Sequence, residues 1–201
     1  NHRELKEVLA DTSTFFDREG DDVTIETRFD RDDESQAWRR WKKNHNLRVS
    51  FFIRVPESYN VEFRSGAGNI EIADLNGSIE GRTGAGNVTL YVDDSVGADV
   101  TARSSMGSAR TDYDLRVRGK WMSKSFSGEI NGGGPEISIS SGVGNVTLLV
   151  TEKTDRLSTE MRARRSRALI FCLYFIFSNA GYSSQMLAKY LKGKLNIYKT
   201  D

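Results

Sequence analysis

Three near-identical pentapeptides are the residues in this chain whose types and spacing could do chemistry: Ser65-Gly66-Ala67-Gly68-Asn69, Thr83-Gly84-Ala85-Gly86-Asn87 and Ser141-Gly142-Val143-Gly144-Asn145. Two ligand chemistries use such glycine turns. Backbone N–H groups can cradle a phosphate, provided the turn opens into a helix whose N-terminus faces the anion. Calcium β-rolls use a glycine-rich nonapeptide in which Asp supplies the ligand oxygens. The residues that follow each motif argue against both. Ile70-Glu71-Ile72, Val88-Thr89-Leu90 and Val146-Thr147-Leu148 alternate apolar and polar, so each motif opens a strand and not a helix. The repeat is roughly twice as long as that of a β-roll, and Asn69, Asn87 and Asn145 place a neutral carboxamide where a hard cation calls for a carboxylate. No metal and no cofactor is expected. Gly66, Gly68, Asn69, Gly84, Gly86, Asn87, Gly142, Gly144 and Asn145 are read as a structural corner. Glycine there takes positive φ and lets neighbouring coils approach, and asparagine tolerates the left-handed region and bonds local backbone.

Other chemistry-bearing residues are scattered. His2 and His45 lie outside the repeats with no partner apparent in sequence, and the single cysteine, Cys172, allows no intrachain disulfide. Glu71, Asp74 and Glu80 are carboxylates that a polysaccharide-cleaving β-helix could gather on one face, although outward positions on such strands are ordinarily just solvated. The segment Trp38-Arg39-Arg40-Trp41-Lys42-Lys43 combines cations and indoles in a way that suits an anionic head group. It follows Asp30-Arg31-Asp32-Asp33-Glu34, whose carboxylates offset its field within a Debye length of ~8–10 Å. The preferred reading of residues 30–46 is therefore a charged, solvated surface insertion, with acid before base as in a short helix.

The elements that would position these residues follow from the repeat. Aligned on the first apolar residue after each corner, with degenerate copies at Ser104 to Ala109 and Ser125 to Ile130, the marks are Ile70, Val88, Ala109, Ile130 and Val146, spaced by 18, 21, 21 and 16 residues. Turn signals recurring at that interval predict an all-β, single-stranded parallel β-helix-like solenoid with about 16–21 residues per coil. Residues 1–29 read as edge strands in which Val23, Ile25 and Thr27 alternate. Leu47, Val49, Phe51, Ile53 and Val55 form the most apolar strand, which Pro56 ends.

Composition changes after residue 153. Residues 151–201 hold ten Lys/Arg against four Asp/Glu, a balance of +6, which leaves 19 against 24, or −5, for residues 1–150. A mildly acidic body argues against nucleic acid as partner. The boundaries expected are a solenoid domain over 1–153 and a basic, apolar, non-repeat tail over 154–201. Helical spacing of Met186, Leu187, Tyr190 and Leu191 predicts a helical appendage there. The apolar run Ala168 to Phe177 is shorter than the ~20 residues that span a bilayer. Cap, interfacial anchor through Arg162, Arg164, Arg165 and Arg167, or sequence foreign to the domain are the three readings of that tail.

Residues 53–90, with Val55-Pro56, the Ser/Thr-Gly-x-Gly-Asn corners and Leu75-Asn76-Gly77-Ser78-Ile79, resemble a bacterial family of proposed adhesins, a domain of unknown function built on such repeats. The resemblance covers roughly residues 20–151. It implies a β-helix-like stack in an exported or envelope-associated protein, found among Bacteroidetes and related bacteria, and it brings no catalytic motif. The function expected is a non-enzymatic module of the cell envelope or extracellular surface, acting in adhesion through a glycan, protein or lipid head group. Membrane association through upstream sequence or through the tail is compatible with it. The alternative from another class is an envelope-stress regulatory module that holds a membrane-attached partner. A polysaccharide-active β-helix enzyme is the third reading.

Overall fold

Period-two alternation drives almost every element of the fold. The computed structural model describes residues 12–29, 49–119, 121–151, 168–174 and 193–199, and within them the chain is all-β, with no helix. The expected insertion at 30–46, with Trp38, Arg39, Arg40, Trp41, Lys42 and Lys43, lies outside the described residues, as do His2 and His45.

Eight strands carry the repeats: β4 (Tyr59–Ala73), β5 (Ile79–Ala85), β6 (Val88–Val92), β7 (Ala98–Met106), β8 (Ala109–Thr111), β9 (Lys124–Ile130), β10 (Glu136–Val143) and β11 (Val146–Val150). The remaining strands are β1 (Thr12–Glu19), β2 (Asp22–Phe29), β3 (Val49–Val55), β12 (Ala168–Tyr174) and β13 (Gly193–Lys199). β4 runs through a corner, so that its first part pairs β5 and its second part pairs β6. One sheet therefore runs β1-β2-β13-β4-β5-β10-β7-β9 and the other β3-β12-β4-β6-β11-β8.

The core lies between the two. Val61, Phe63, Ile79, Val100, Ala102, Ile137 and Ile139 point inward from the first sheet, and Ile70, Ile72, Val88, Leu90, Val146 and Leu148 from the second, all buried. Phe63 covers Gly81, its register partner on β5, where a Cβ would collide with the ring. Buried Asn60 accepts the Ser78 N–H and hydroxyl through its Oδ1, both at 2.8 Å, which ties the Leu75-to-Ile79 segment to the strand before it.

Four copies of the corner are joined by parallel pairing, but not in chain order. Ile70 pairs Val88, Val88 pairs Val146, and Val146 pairs Ala109. The last copy in sequence, β10–β11, thus lies between β5–β6 and β7–β8. Because the copies present the same register of side chains, chain order does not dictate stacking order. The fifth expected copy, Ser125 to Ile130, is no coil at all. It is β9, antiparallel to β7 with Ile130 opposite Ala98. The strands are mixed, the sheets are not closed, and a parallel solenoid with coils stacked in sequence is not what forms.

The helical spacing expected at Met186, Leu187, Tyr190 and Leu191 lies outside the described residues. The two described stretches beyond residue 153 are strands. β12 pairs antiparallel with β3 on one side and β4 on the other, and β13 lies antiparallel between β2 and β4. Leu195 and Ile197, two residues apart, are both buried, the period of a strand and not of a helix. Residues 12–29 form an antiparallel hairpin, turning at Gly20 (φ +64°), and not a first coil. Within it Ile25 and Thr27 are buried, in keeping with the expected alternation.

Candidate functional site

The glycines and asparagines of the three motifs come together in columns. Gly68, Gly86 and Gly144 have φ of 139°, 142° and 142°, and Gly107 of the degenerate copy has 155°. A Cβ on Gly86 would collide with the Gly68 carbonyl oxygen, one on Gly144 with that of Gly86, and one on Gly107 with that of Gly144. Beside this column the Asn69 Oδ1 accepts the Asn87 N–H, the Asn87 Oδ1 accepts the Asn145 N–H, and the Asn145 Oδ1 accepts the Ser108 N–H, each at 2.9 Å. The hydroxyls that open the motifs are buried. Ser141 donates to the Gly86 carbonyl at 2.8 Å and Ser104 to the Gly144 carbonyl at 2.6 Å. The corner is thereby a ladder of internal bonds running from coil to coil.

What the corner leaves to solvent is a groove on the outer side of the first sheet. It has a volume of about 460 Å³ and runs across the strands over Gly66, Gly84 and Gly142, which sit side by side with Ser105 at one end. Arg64, Arg82 and Ser140 line it, and Arg103 continues the same cross-strand row, in register on β4, β5, β10 and β7. The Arg64 Nη2 lies 2.9 Å from the Glu62 Oε1, and the Arg82 Nη2 3.8 Å from the Glu80 Oε1, so the basic row is backed by an acidic one. Arg64 and Arg82 are exposed, and surface pairs of this kind contribute at most about 1 kcal/mol each.

On the other side the corner makes an apolar ridge. Ala67, Ala85, Val143 and Met106 are in register, and Val143 and Met106 are each 51% exposed. The ridge ends at a turn in which the Met122 carbonyl accepts the Gly107 N–H at 3.3 Å. Trp121, next in chain, is 96% exposed and Met122 62%. Trp121 also holds φ +52°, an uncommon backbone for an aromatic residue.

The candidate carboxylates do not gather. Glu80 is on the outer face of the first sheet and Glu71 on the second, both exposed. Asp74 lies elsewhere, with Glu57 and Asp93. Burial pushes the Asp74 carboxyl up, a rise that the Thr151 hydroxyl opposes and the Asp93 charge adds to. Glu57 is raised by burial, then by Asp74 and Asp93. Among the described residues no group of three or more His, Cys, Asp or Glu side chains is placed to hold a metal ion, and no helix is long and apolar enough to cross a membrane.

Sequence reading missed the arginine row and Trp121. The row had a signal: Arg64, Arg82 and Arg103 each stand one residue before the hydroxyl that opens a motif, a position the pentapeptide omits. Trp121 had none, since it falls between two irregular segments. No family model, curated protein or solved structure matches this chain.

Proposed function

We propose that this chain is a non-enzymatic interaction module of the bacterial cell envelope, an adhesin-type scaffold that meets its partner through the outer face of the first sheet. One observation carries the reading: the asparagine carboxamide oxygens and the Ser141 and Ser104 hydroxyls of the repeated motif are engaged in coil-to-coil bonds, while the outer side of the same corners presents an open groove lined by Arg64, Arg82 and the motif glycines. A repeat whose polar atoms hold the stack together fixes the shape of a surface; the flanking residues then supply the contacts. The four parallel corner copies are read as a short β-helix-like solenoid whose first three marks, Ile70, Val88 and Ala109, are 18 and 21 residues apart and whose last coil is threaded inward. Envelope or extracellular location rests on the resemblance of the Val-Pro and Ser/Thr-Gly-x-Gly-Asn segments to proposed adhesins.

The test is binding of the purified, labelled chain to isolated bacterial envelope fractions and to arrays of glycans and lipids. Saturable binding that Arg82→Ala weakens, at unchanged melting temperature, is the expected result. Absence of saturable binding to any fraction or array, or turnover of a glycan by the chain, overturns it.

A further inference from the structure

We infer that the turn joining Arg118 to Ser125 is a membrane-docking tip that seats on an anionic lipid surface, with Trp121 and Met122 entering the headgroup layer and the neighbouring arginines meeting lipid phosphates. The tip lies beyond β9 at the end of the first sheet, and neither Trp121 nor Met122 lines the groove, so the inference goes beyond the interaction reading above.

The tip is held in shape by its backbone. Arg118 and Ser125 exchange both main-chain hydrogen bonds, at 2.7 and 2.9 Å. Gly119, at φ +119°, packs so closely on the other arm that a Cβ there would collide with the Ser123 carbonyl. The Gly107 N–H donates to the Met122 carbonyl at 3.3 Å and ties the turn to the corner. The side chains of the tip are thereby presented at a fixed place on the sheet edge.

The charge of the tip has one sign. Between Leu115 and Gly128 the sequence holds Arg116, Arg118, Lys120 and Lys124 and no Asp or Glu. Arg116 and Arg118 are exposed, and neither forms an ion pair with a carboxylate among the described residues. Ser125 faces Arg118 on one side and Arg103 on the other, which adds an exposed cation from β7 to the same row. Acid lies at the far end of the hairpin. Asp99 and Glu129 face each other four residues along β9 from Ser125, about 13 Å away at 3.3 Å per residue. Asp112 and Asp114 precede Leu115, whose side chain lies over Gly128 at that same end. A separation of that size exceeds the Debye length of ~8 Å at 0.15 M salt, so the balance of −5 over residues 1–150 does not cancel the field at the tip. Each cation held near an anionic leaflet strengthens binding by about fivefold.

Apolar surface on the same tip decides between anionic partners. Trp121 is 96% exposed, Met122 62% and Val117 42%, with Met106 beside Gly107 at 51%. A hydrated polyanion has no place to bury a methionine and a valine, whereas the boundary between lipid headgroups and acyl chains takes apolar side chains and an indole together. Cations flanking a protruding tryptophan and methionine therefore fit a lipid surface better than a soluble acidic polymer.

The experiment is co-flotation of the full chain at 0.15 M salt with vesicles of phosphatidylglycerol and phosphatidylcholine in equal parts, against vesicles of phosphatidylcholine alone. Expected are binding to the anionic vesicles only and a loss of binding as salt is raised. Trp121→Ala should raise the lipid concentration for half-binding about tenfold, Arg118→Gln about fivefold, and Arg82→Ala not at all, with melting temperatures unchanged because these side chains are exposed. Trp38→Phe with Trp41→Phe leaves Trp121 as the single tryptophan; its fluorescence should be quenched by brominated lipid in the anionic vesicles. Absence of binding to the anionic vesicles overturns the inference, as does full affinity in Trp121→Ala or an unquenched Trp121 in bound chain. Binding of polygalacturonate or of a single-stranded oligonucleotide without binding of vesicles assigns the cations to another partner and overturns it too. A loss in Arg82→Ala as large as in Trp121→Ala would place the contact at the groove, removing the tip's assignment and leaving the interaction reading in place.

Discussion

The carboxamide oxygen of Asn87 accepts the backbone N–H of Asn145 at 2.9 Å, although 58 residues separate the two. In return the Val88 N–H donates to the Asn145 carbonyl at 2.9 Å. Asn87 also donates its own N–H to Asn69, so it is the middle rung of the ladder. Asn87→Ala should cost about 1 kcal/mol, the net value of one such bond. Asn87→Asp keeps an acceptor oxygen and should lose less. Urea unfolding of the two variants checks the order, and a larger loss for Asp than for Ala contradicts the ladder.

Thr83 breaks the hydroxyl pattern of its neighbours. Its Oγ1 is buried and has no hydrogen-bond partner, whereas Ser141 and Ser104 reach the glycine carbonyls of the adjacent coil. A buried hydroxyl without a partner carries a desolvation penalty of about 1–3 kcal/mol. Thr83→Val, which keeps the volume and removes the hydroxyl, should therefore be neutral or stabilising. Ser141→Ala, which removes a bond that is made, should destabilise by about 1 kcal/mol. Equal losses in the two variants would show that Thr83 is bonded in solution.

Close approach of the coils predicts an asymmetry among glycines. Gly86→Ala drives a Cβ into the Gly68 carbonyl at φ +142° and should cost several kcal/mol or abolish folding. At Gly20 nothing lies within 4 Å of a new Cβ, so Gly20→Ala should cost only the left-handed backbone, about 1 kcal/mol. Thermal melts of both variants decide the matter; similar shifts would mean that the coils are further apart than described.

Removing residues 154–201 should do more than trim an appendage. Leu195 and Ile197 are buried, and β13 is what joins the β1–β2 hairpin to β4. Truncation after residue 153 leaves that hairpin without a neighbour and opens the β4 edge, and an open edge invites self-association. Expected are a lower melting temperature and aggregation of the truncated chain, and Ile197→Asp in the full chain should reproduce the loss of stability. A truncated chain that melts at the full-length temperature would show that the core ends at residue 153.

The local parts of this fold were legible and the non-local parts were not. Alternation at Ile70-Glu71-Ile72 or Val88-Thr89-Leu90 is a property of a few consecutive residues, and burial follows it residue by residue. The corner reading of Gly68, Gly86 and Gly144 rested on the same local logic, and their φ values agree. Which copy stacks on which is different. Copies that share one register compete for the same neighbours, so nothing near Val146 states that it will pair with Val88 and Ala109 together. Leu195 and Ile197 offer only one full alternation before Lys199, too short to compete with the helical spacing just upstream. The arginine row was visible in principle, but only by extending the repeat one residue beyond its glycines.

Asp74 provides the last test, through pH. It holds φ +57° and lies where the Thr151 hydroxyl contacts its Oδ1 at 3.5 Å. Burial first, and then the Asp93 charge, favour its protonated form, and Glu57 is raised by burial and by Asp74 itself. A carboxyl whose folded pKa lies above its unfolded value binds more protons in the folded state between the two values. Stability through that window therefore falls as pH rises, and at neutral pH the ionised pair opposes folding. Asp74→Asn removes the charge, keeps an acceptor for Thr151 and suits the left-handed backbone at least as well. Its melting temperature should exceed that of the parent chain at pH 7, and the difference should shrink towards the unfolded carboxyl value of about 3.9, where Asp74 is becoming neutral in both states. An equal or lower melting temperature at pH 7, or a gap that widens in acid, would show that the Asp74 carboxylate is stabilised by its surroundings and that the acid pair does not strain the fold.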